Sequence, residues 1–348
     1  MEGTKKRRIY GGLLLLLALA AGIAAWLMYQ YMQNREAPPK TSIRIGVTLY
    51  RGDDTFISTL RAAMEEQAKE YEQRTGIKVT LDIVDAKLNQ NTQNTQVERF
   101  ISLGCDALCV NLVDRSAASI IIDKAMDAGI PVVFFNREPV EEDMNRWEKL
   151  YYVGADAKES AVLQGNILVD AYKKDPASLD VNQDGLVSYV LLEGESSHQD
   201  SLIRTEWSIQ TLKDGGVPLE KLTGSIANWE RSQASALMEQ WLSEYPGQIE
   251  LVISNNDDMA LGAIDAMKRE GLLSGSVKVV GIDGTPVGQE ALKTGDLFGT
   301  VESDKEQYAK VIFDIASSCA MGEPIPQEIQ LDNGKYYRCP QIALTQQK

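Results

Sequence analysis

From Ser42 onward, short apolar runs alternate with longer stretches in which apolar residues return every three or four positions. Residues 43–49, 79–84, 107–112 and 131–135 have strand length and are rich in β-branched or aromatic side chains. Helical periodicity fills the gaps between them, as in 56–71 and 117–128. A second set of strands follows at 151–154, 187–192, 250–254 and 277–282. Strands that are apolar throughout and alternate with helices predict parallel sheets covered on both faces. Two such sets predict an α/β protein of two lobes, and ligands of open parallel sheets bind beyond the carboxyl ends of the strands.

Polar and aromatic residues gather where these strands end. Asp53, Asp54 and Phe56 follow the first, Asn111 and Asp114 the third, and Asn136 the fourth. In the second set His198 to Arg204 follow one strand, Trp229 comes just after 222–227, and Asn256, Asp257 and Asp283 close two more. Any one Asp or Asn here reads equally well as a turn former or helix cap. Taken together, the amides, carboxylates, guanidinium and aromatic faces match what a sugar requires for its hydroxyls and its apolar C–H patches.

One segment carries two patterns in succession. Asp180, Asn182, Asp184, Gly185 and Ser188 alternate oxygen-bearing side chains around a glycine, as a chain does when it curls about a hard cation such as calcium. The twelfth position from Asp180 is Leu191 rather than the Glu of a complete EF-hand loop, so an Asx-rich turn without metal fits the same residues. Next come His198, the chain's single histidine, and Asp200 and Arg204, four residues apart on one helical face.

Composition narrows the functional classes. The chain has 348 residues, 44% of them hydrophobic, enough to bury a large core and to form two domains. Outside the first 36 positions, 30 basic residues face 48 acidic ones, and such a surface repels nucleic acid. Cys105, Cys109, Cys319 and Cys339 lie apart in apolar surroundings and are expected to be buried and free.

The amino terminus points to a membrane. Lys5, Lys6, Arg7 and Arg8 precede an uncharged run over residues 9–34, which as a helix spans roughly 39 Å. That exceeds a bilayer's hydrocarbon core and the usual length of a signal peptide's apolar region. An uncleaved, single-pass signal-anchor is expected, with everything after Pro38 and Pro39 outside the cell membrane. The alternative is a secreted protein, cleaved after the small residues around Ala18 and Ala20.

The segments 45–56, 111–114, 132–139, 151–154 and 255–257, together with the loop 180–188 and the His198–Asp200–Arg204 set, resemble the calcium-carrying glucose/galactose-binding proteins of bacterial sugar transport and chemotaxis. This resemblance covers the chain from Ile43 to its end. It implies a two-lobed type I periplasmic-binding-protein fold, each lobe a parallel sheet flanked by helices. Three segments form the hinge, near 136–139, 302–304 and 337–339. The implied divisions are a basic tip and transmembrane helix (1–36), a linker (37–41), an N-terminal lobe (42–136 plus 305–336) and a C-terminal lobe (139–302 plus 339–348).

The implied ligand is a hexose, D-galactose or D-glucose. Phe56 and Trp229 would sandwich it, and Asp54, Asn111, His198, Asp200, Arg204, Asn256, Asp283 and Ser303 would meet its oxygens. Ser303 stands where the family has an Asn. A structural calcium would take Asp180, Asn182, Asp184, the Leu186 carbonyl, Ser188 and Glu250, with Ser188 replacing a family Gln. The family's partner is a sugar ABC permease, with a chemoreceptor or sensor kinase as the alternative, and the binding domain is expected to be monomeric. A glycosidase built on Asp53, Asp54 and Asp283 is the less favoured alternative, and no enzymatic activity is expected.

Overall fold

The structure, a computed structural model, describes residues 20–28, 30 and 40–346. The chain divides at Thr41 into two units. In the first, the described residues 20–28 and 30 are helical, and the rest of the apolar run at 9–34 lies outside the described residues. Among the described residues no helix is long and apolar enough to cross a membrane.

The second unit holds two six-stranded sheets. The first runs in the order β11-β5-β4-β3-β1-β2, with β1 Ser42–Leu49, β2 Lys78–Asp85, β3 Ala107–Val110, β4 Val132–Phe135, β5 Leu150–Ala155 and β11 Tyr336–Cys339. Every pairing in it is parallel. The second runs β12-β10-β9-β8-β6-β7, with β6 Val187–Glu193, β7 Leu219–Ile226, β8 Leu251–Ser254, β9 Lys278–Val280, β10 Gly299–Ser303 and β12 Gln341–Thr345. Only β12 joins antiparallel, against β10.

The inner strands of each sheet are buried on both faces, as their apolar sequences require. Cys109, Val133 and Phe135 pack on one side of the first sheet with α1 (Thr55–Thr75) and α10 (Lys305–Met321). Their strand neighbours Leu108, Val110, Val132 and Phe134 pack on the other with α2 (Gln90–Ser102) and α3 (Ala118–Ala128). Gly46 faces the α2 side because a Cβ there would come within 2.5 Å of the Phe100 ring. The second sheet alternates likewise, with Val190 and Leu192 on one side and Tyr189 and Leu191 on the other.

The lobe boundary differs from expectation at one crossing. The strand at 151–154 was expected to open the second lobe, yet β5 pairs with β4 and β11 and so belongs to the first sheet. Between β4 and β5 lies only the short α4 (Glu141–Met144), and the polar residues at 136–139 mark a turn at the cleft rather than a passage between lobes. The chain crosses instead at Asp156, which caps α5 (Ala157–Lys174) by accepting from Lys158 and Glu159. It returns after Ser303 into α10 and passes over again between β11 and β12. The other two crossings were expected near 302–304 and 337–339. One cysteine departs as well: Cys105, Cys109 and Cys339 are buried and free, whereas Cys319 is free but only partly buried.

Candidate functional site

The strand ends of the two lobes meet around a cavity lined from both sides. Tyr50, Asp54, Phe56, Ile57, Asn136 and Arg137 line it from the first lobe. His198, Asp200, Arg204, Trp229, Asn256 and Asp283 line it from the second. Eight of the ten expected ligand residues are therefore brought together. Asn111 and Ser303 are buried but do not line the cavity. Asn111 spends its amide on structure: its Oδ1 accepts from Tyr50 N at 3.2 Å, and its Nδ2 donates to Phe135 O and Asn136 Oδ1. Ser303 ends β10 opposite Gln341.

Helix caps place most of the polar groups. Asp54 caps α1 by accepting from Ile57 N at 2.8 Å, and its other oxygen takes the Tyr50 hydroxyl at 2.6 Å. Asn256 caps α8 (Asp257–Arg269) through Oδ1, which leaves Nδ2 for the cavity it lines. His198 caps α6 (Gln199–Asp214), its Nδ1 accepting from Asp200 N at 3.1 Å. Burial, reinforced by Arg137, Arg204 and Arg115, holds its pKa well below the ordinary histidine range. The ring is neutral, and the Nδ1 bond assigns the proton to Nε2 as a donor.

Arg204 organises the second lobe's face. Its Nη1 donates to Asn255 O at 2.9 Å and lies 3.5 Å from Asp283, while Nη2 lies 3.6 Å from Asp200. Burial raises both carboxyls above the usual range, Asp283 well above it, with Arg204 opposing. Arg204 Nε and Trp229 Nε1 are buried without a protein partner.

Trp229 is set by backbone as well as packing. Asn228 and Trp229 both have left-handed φ, 52° and 64°, a conformation uncommon for non-glycine residues and associated with functional sites. Its ring meets His198 edge-on at 5.3 Å. Gly194 leaves room for it, since a Cβ there would sit 2.1 Å from the indole. Opposite, Phe56 leans on Tyr308 at 5.9 Å.

The cleft is bridged at several points. Arg51 pairs with Glu230, Arg137 with Glu195, and Arg115 donates to Gln199. None of these was singled out from the sequence, nor were Tyr50 and Arg137 as lining residues, whereas Asn136 was among the polar residues noted at the strand ends. Tyr50 and Arg137 obey the same strand-end rule as their neighbours, but no spacing in the sequence reveals a pair formed only across a cleft.

The calcium-loop residues form a closed turn around Glu250. Its carboxylate accepts from Asn182 N and Ser188 N, while Gly185 N donates to Asp180 Oδ2 and Leu186 N to Asp184 Oδ1. Asp180 Oδ1 is buried without a partner, and every candidate donor is oxygen. Among the described residues no group of three or more His, Cys, Asp or Glu side chains is arranged to hold a metal. Asp184 Oδ2 accepts from Asn182 Nδ2 at 3.0 Å.

The profile of the periplasmic binding protein domain matches residues 45–324. This chain belongs to the periplasmic binding proteins. The D-galactose/methyl-galactoside binding periplasmic protein MglB of Haemophilus influenzae is 39% identical over 281 residues, covering 80% of this chain and 82% of that protein. The ribose import binding protein RbsB of Bacillus subtilis is 26% identical over 300 residues, 86% of this chain and 89% of that one. A Bacillus halodurans ABC transporter solute binding protein, solved with myo-inositol, superimposes with a TM-score of 0.72 at 30% identity, covering 89% of this chain and 96% of that one. The chain is thus a solute-binding protein and not an enzyme, in a family that works outside the cytoplasm.

Proposed function

We propose that this periplasmic binding protein captures a hexose, D-galactose or D-glucose, by closing its two lobes, and delivers it to a sugar ABC permease. The observation that carries this reading is the make-up of the cavity where the strand ends of the two lobes meet. Aromatic side chains from opposing lobes, Phe56 and Trp229, line it together with carboxylates, two amides, an imidazole donor and two guanidinium groups. Carboxylates accept from sugar hydroxyls, Arg204, Asn256 Nδ2 and His198 Nε2 donate to them, and the rings take the C–H faces. Sugar hydroxyls also stabilise the charged forms of Asp200 and Asp283, which burial disfavours. A galactose-binding relative at 39% identity favours a hexose, and the myo-inositol of the Bacillus halodurans structure is likewise a six-membered ring bearing hydroxyls. Added D-galactose or D-glucose should change the Trp229 fluorescence of the soluble domain saturably. A flat signal for both, with no heat in a parallel calorimetric run, would remove the hexose assignment.

Two accessory features belong to the same proposal. Asp180, Asn182, Asp184, the Leu186 carbonyl, Ser188 and Glu250 would hold one calcium, supported by the orphaned Asp180 Oδ1 and the all-oxygen donor set. Calcium would supply a structural clamp between loop and strand, with no part in sugar contact. Residues 9–34 would tether the domain outside the cell membrane.

A further inference from the structure

Arg137 stands where the cavity and the seam between the lobes meet, and it is 5% exposed. Its guanidinium lies over the Tyr50 ring, 3.8 Å from the centroid. Its Nη1 donates to Val113 O at 3.1 Å within its own lobe. Across the cleft, Glu195 takes Nη1 at 2.8 Å and Nη2 at 2.9 Å, a two-pronged pair. Glu195 follows β6 on the second lobe and does not line the cavity. On the far side of Tyr50, the hydroxyl donates to Asp54. A contact chain thus runs from Glu195 through Arg137 and Tyr50 to a carboxylate facing the ligand.

We propose that Arg137 is a positioning residue for ligand capture, with Glu195 as its closing partner: the pair forms only when the lobes meet, and it fixes Tyr50 and Asp54 in the arrangement that receives the ligand. The ligand's identity rests on the hexose reading above, whereas the latch rests on the geometry. Among the described residues, no carboxylate of the first lobe comes within ion-pair distance of Arg137. Opening the cleft therefore leaves Arg137 and Glu195 to water, and closing desolvates both in favour of a forked, charge-assisted pair. The neighbouring Arg51–Glu230 bridge lacks this selectivity. Arg51 keeps a second partner in its own lobe, Asp53 at 3.1 Å, and the Glu230 side chain is 32% exposed. Loss of one partner of the Arg137 pair strands the other in the closed state alone, so the penalty falls on release of ligand rather than on folding or encounter.

The test is stopped-flow fluorescence with D-galactose and D-glucose on wild type, Glu195→Gln, Arg137→Lys and Glu230→Gln, with melting curves of the ligand-free proteins. Glu195→Gln should release sugar at least about tenfold faster while its association rate stays within about threefold. Its ligand-free melting temperature should stay within about 2 °C of wild type, the shift expected of a small stability change in a chain this long. Arg137→Lys keeps the charge but loses the fork and the flat face over Tyr50, and should fall as far. Glu230→Gln should move release by less than about threefold, as for an exposed pair. Release from Glu195→Gln within threefold of wild type, or a drop in ligand-free melting temperature matching the loss of affinity, would overturn the latch. If wild type takes neither hexose, the functional reading fails by itself. The latch is then read from spin-label distances between the lobes, where Glu195→Gln must deplete the short-distance population and an unchanged distribution overturns it.

Discussion

Trp229 shows how one side chain of the site depends on others that never touch ligand. Its ring occupies the space that the missing Cβ of Gly194 leaves open, so Gly194→Ala should displace it and weaken hexose binding at least about tenfold, or ~1.4 kcal/mol. Trp229→Ala should cost at least as much, and calorimetric titration of the two variants checks both. An unchanged affinity in Trp229→Ala removes that ring from the site. Arg204→Ala should do comparable damage, because it strips Asp200 and Asp283 of their shared cation while leaving both buried. Asp257 lies behind this face and meets no ligand. Burial pushes its carboxyl up to about 7 from 3.8, against hydrogen bonds from Thr300 and Thr285. The folded state then holds this proton more tightly than the unfolded chain. The stability it contributes is complete below about pH 3.8 and is lost as pH rises through about 7. Asp257→Asn should flatten the decline in unfolding free energy across that window, and urea titrations giving parallel slopes for the two proteins would refute the assignment.

At the level of elements, strand ends and caps were legible because they combine a local pattern with a local cause. Asp54, His198 and Asn256 each cap the helix that follows their strand, so the polar residue and the helix start predict one another. The fate of β5 was not legible. Its residues read correctly as a strand, but sheet membership is decided by pairing with β4 and β11, the latter almost at the other end of the sequence. Strands β10, β11 and β12 escaped recognition for a related reason: they are only four or five residues long and flank the crossings, and β11 and β12 are partly exposed. Asn111 was misplaced because an amide after a strand looks the same whether it meets a ligand or ties three backbone segments. The loop at 180–188 yields its own prediction. Chelation should lower the melting temperature of the soluble domain and added calcium should restore it, through linkage to the folded state. Asp184→Ala should erase that response without erasing hexose binding, and melting curves indifferent to chelator would make the loop a metal-free Asx turn.

For the whole molecule, two sheets present their strand ends to one cleft, and the proposed capture makes binding and closure a single event. The pairs Arg51–Glu230 and Arg137–Glu195 and the hydrogen bond Arg115–Gln199 all require the lobes to be together, and a permease can distinguish that surface from the open one. The amino-terminal run at 9–34 has the length to keep this device at the membrane, since about 20 apolar residues suffice to span it. Carbonate extraction should leave the full chain with membranes, whereas a mature protein whose sequence begins near Ala21 would be secreted. Isothermal titration of the soluble domain against D-galactose, D-glucose, D-ribose and L-arabinose tests the central claim most directly. The account predicts one site per chain, with a hexose bound at least about tenfold more tightly than either pentose. A pentose bound more tightly, or no heat from any of the four, would contradict it.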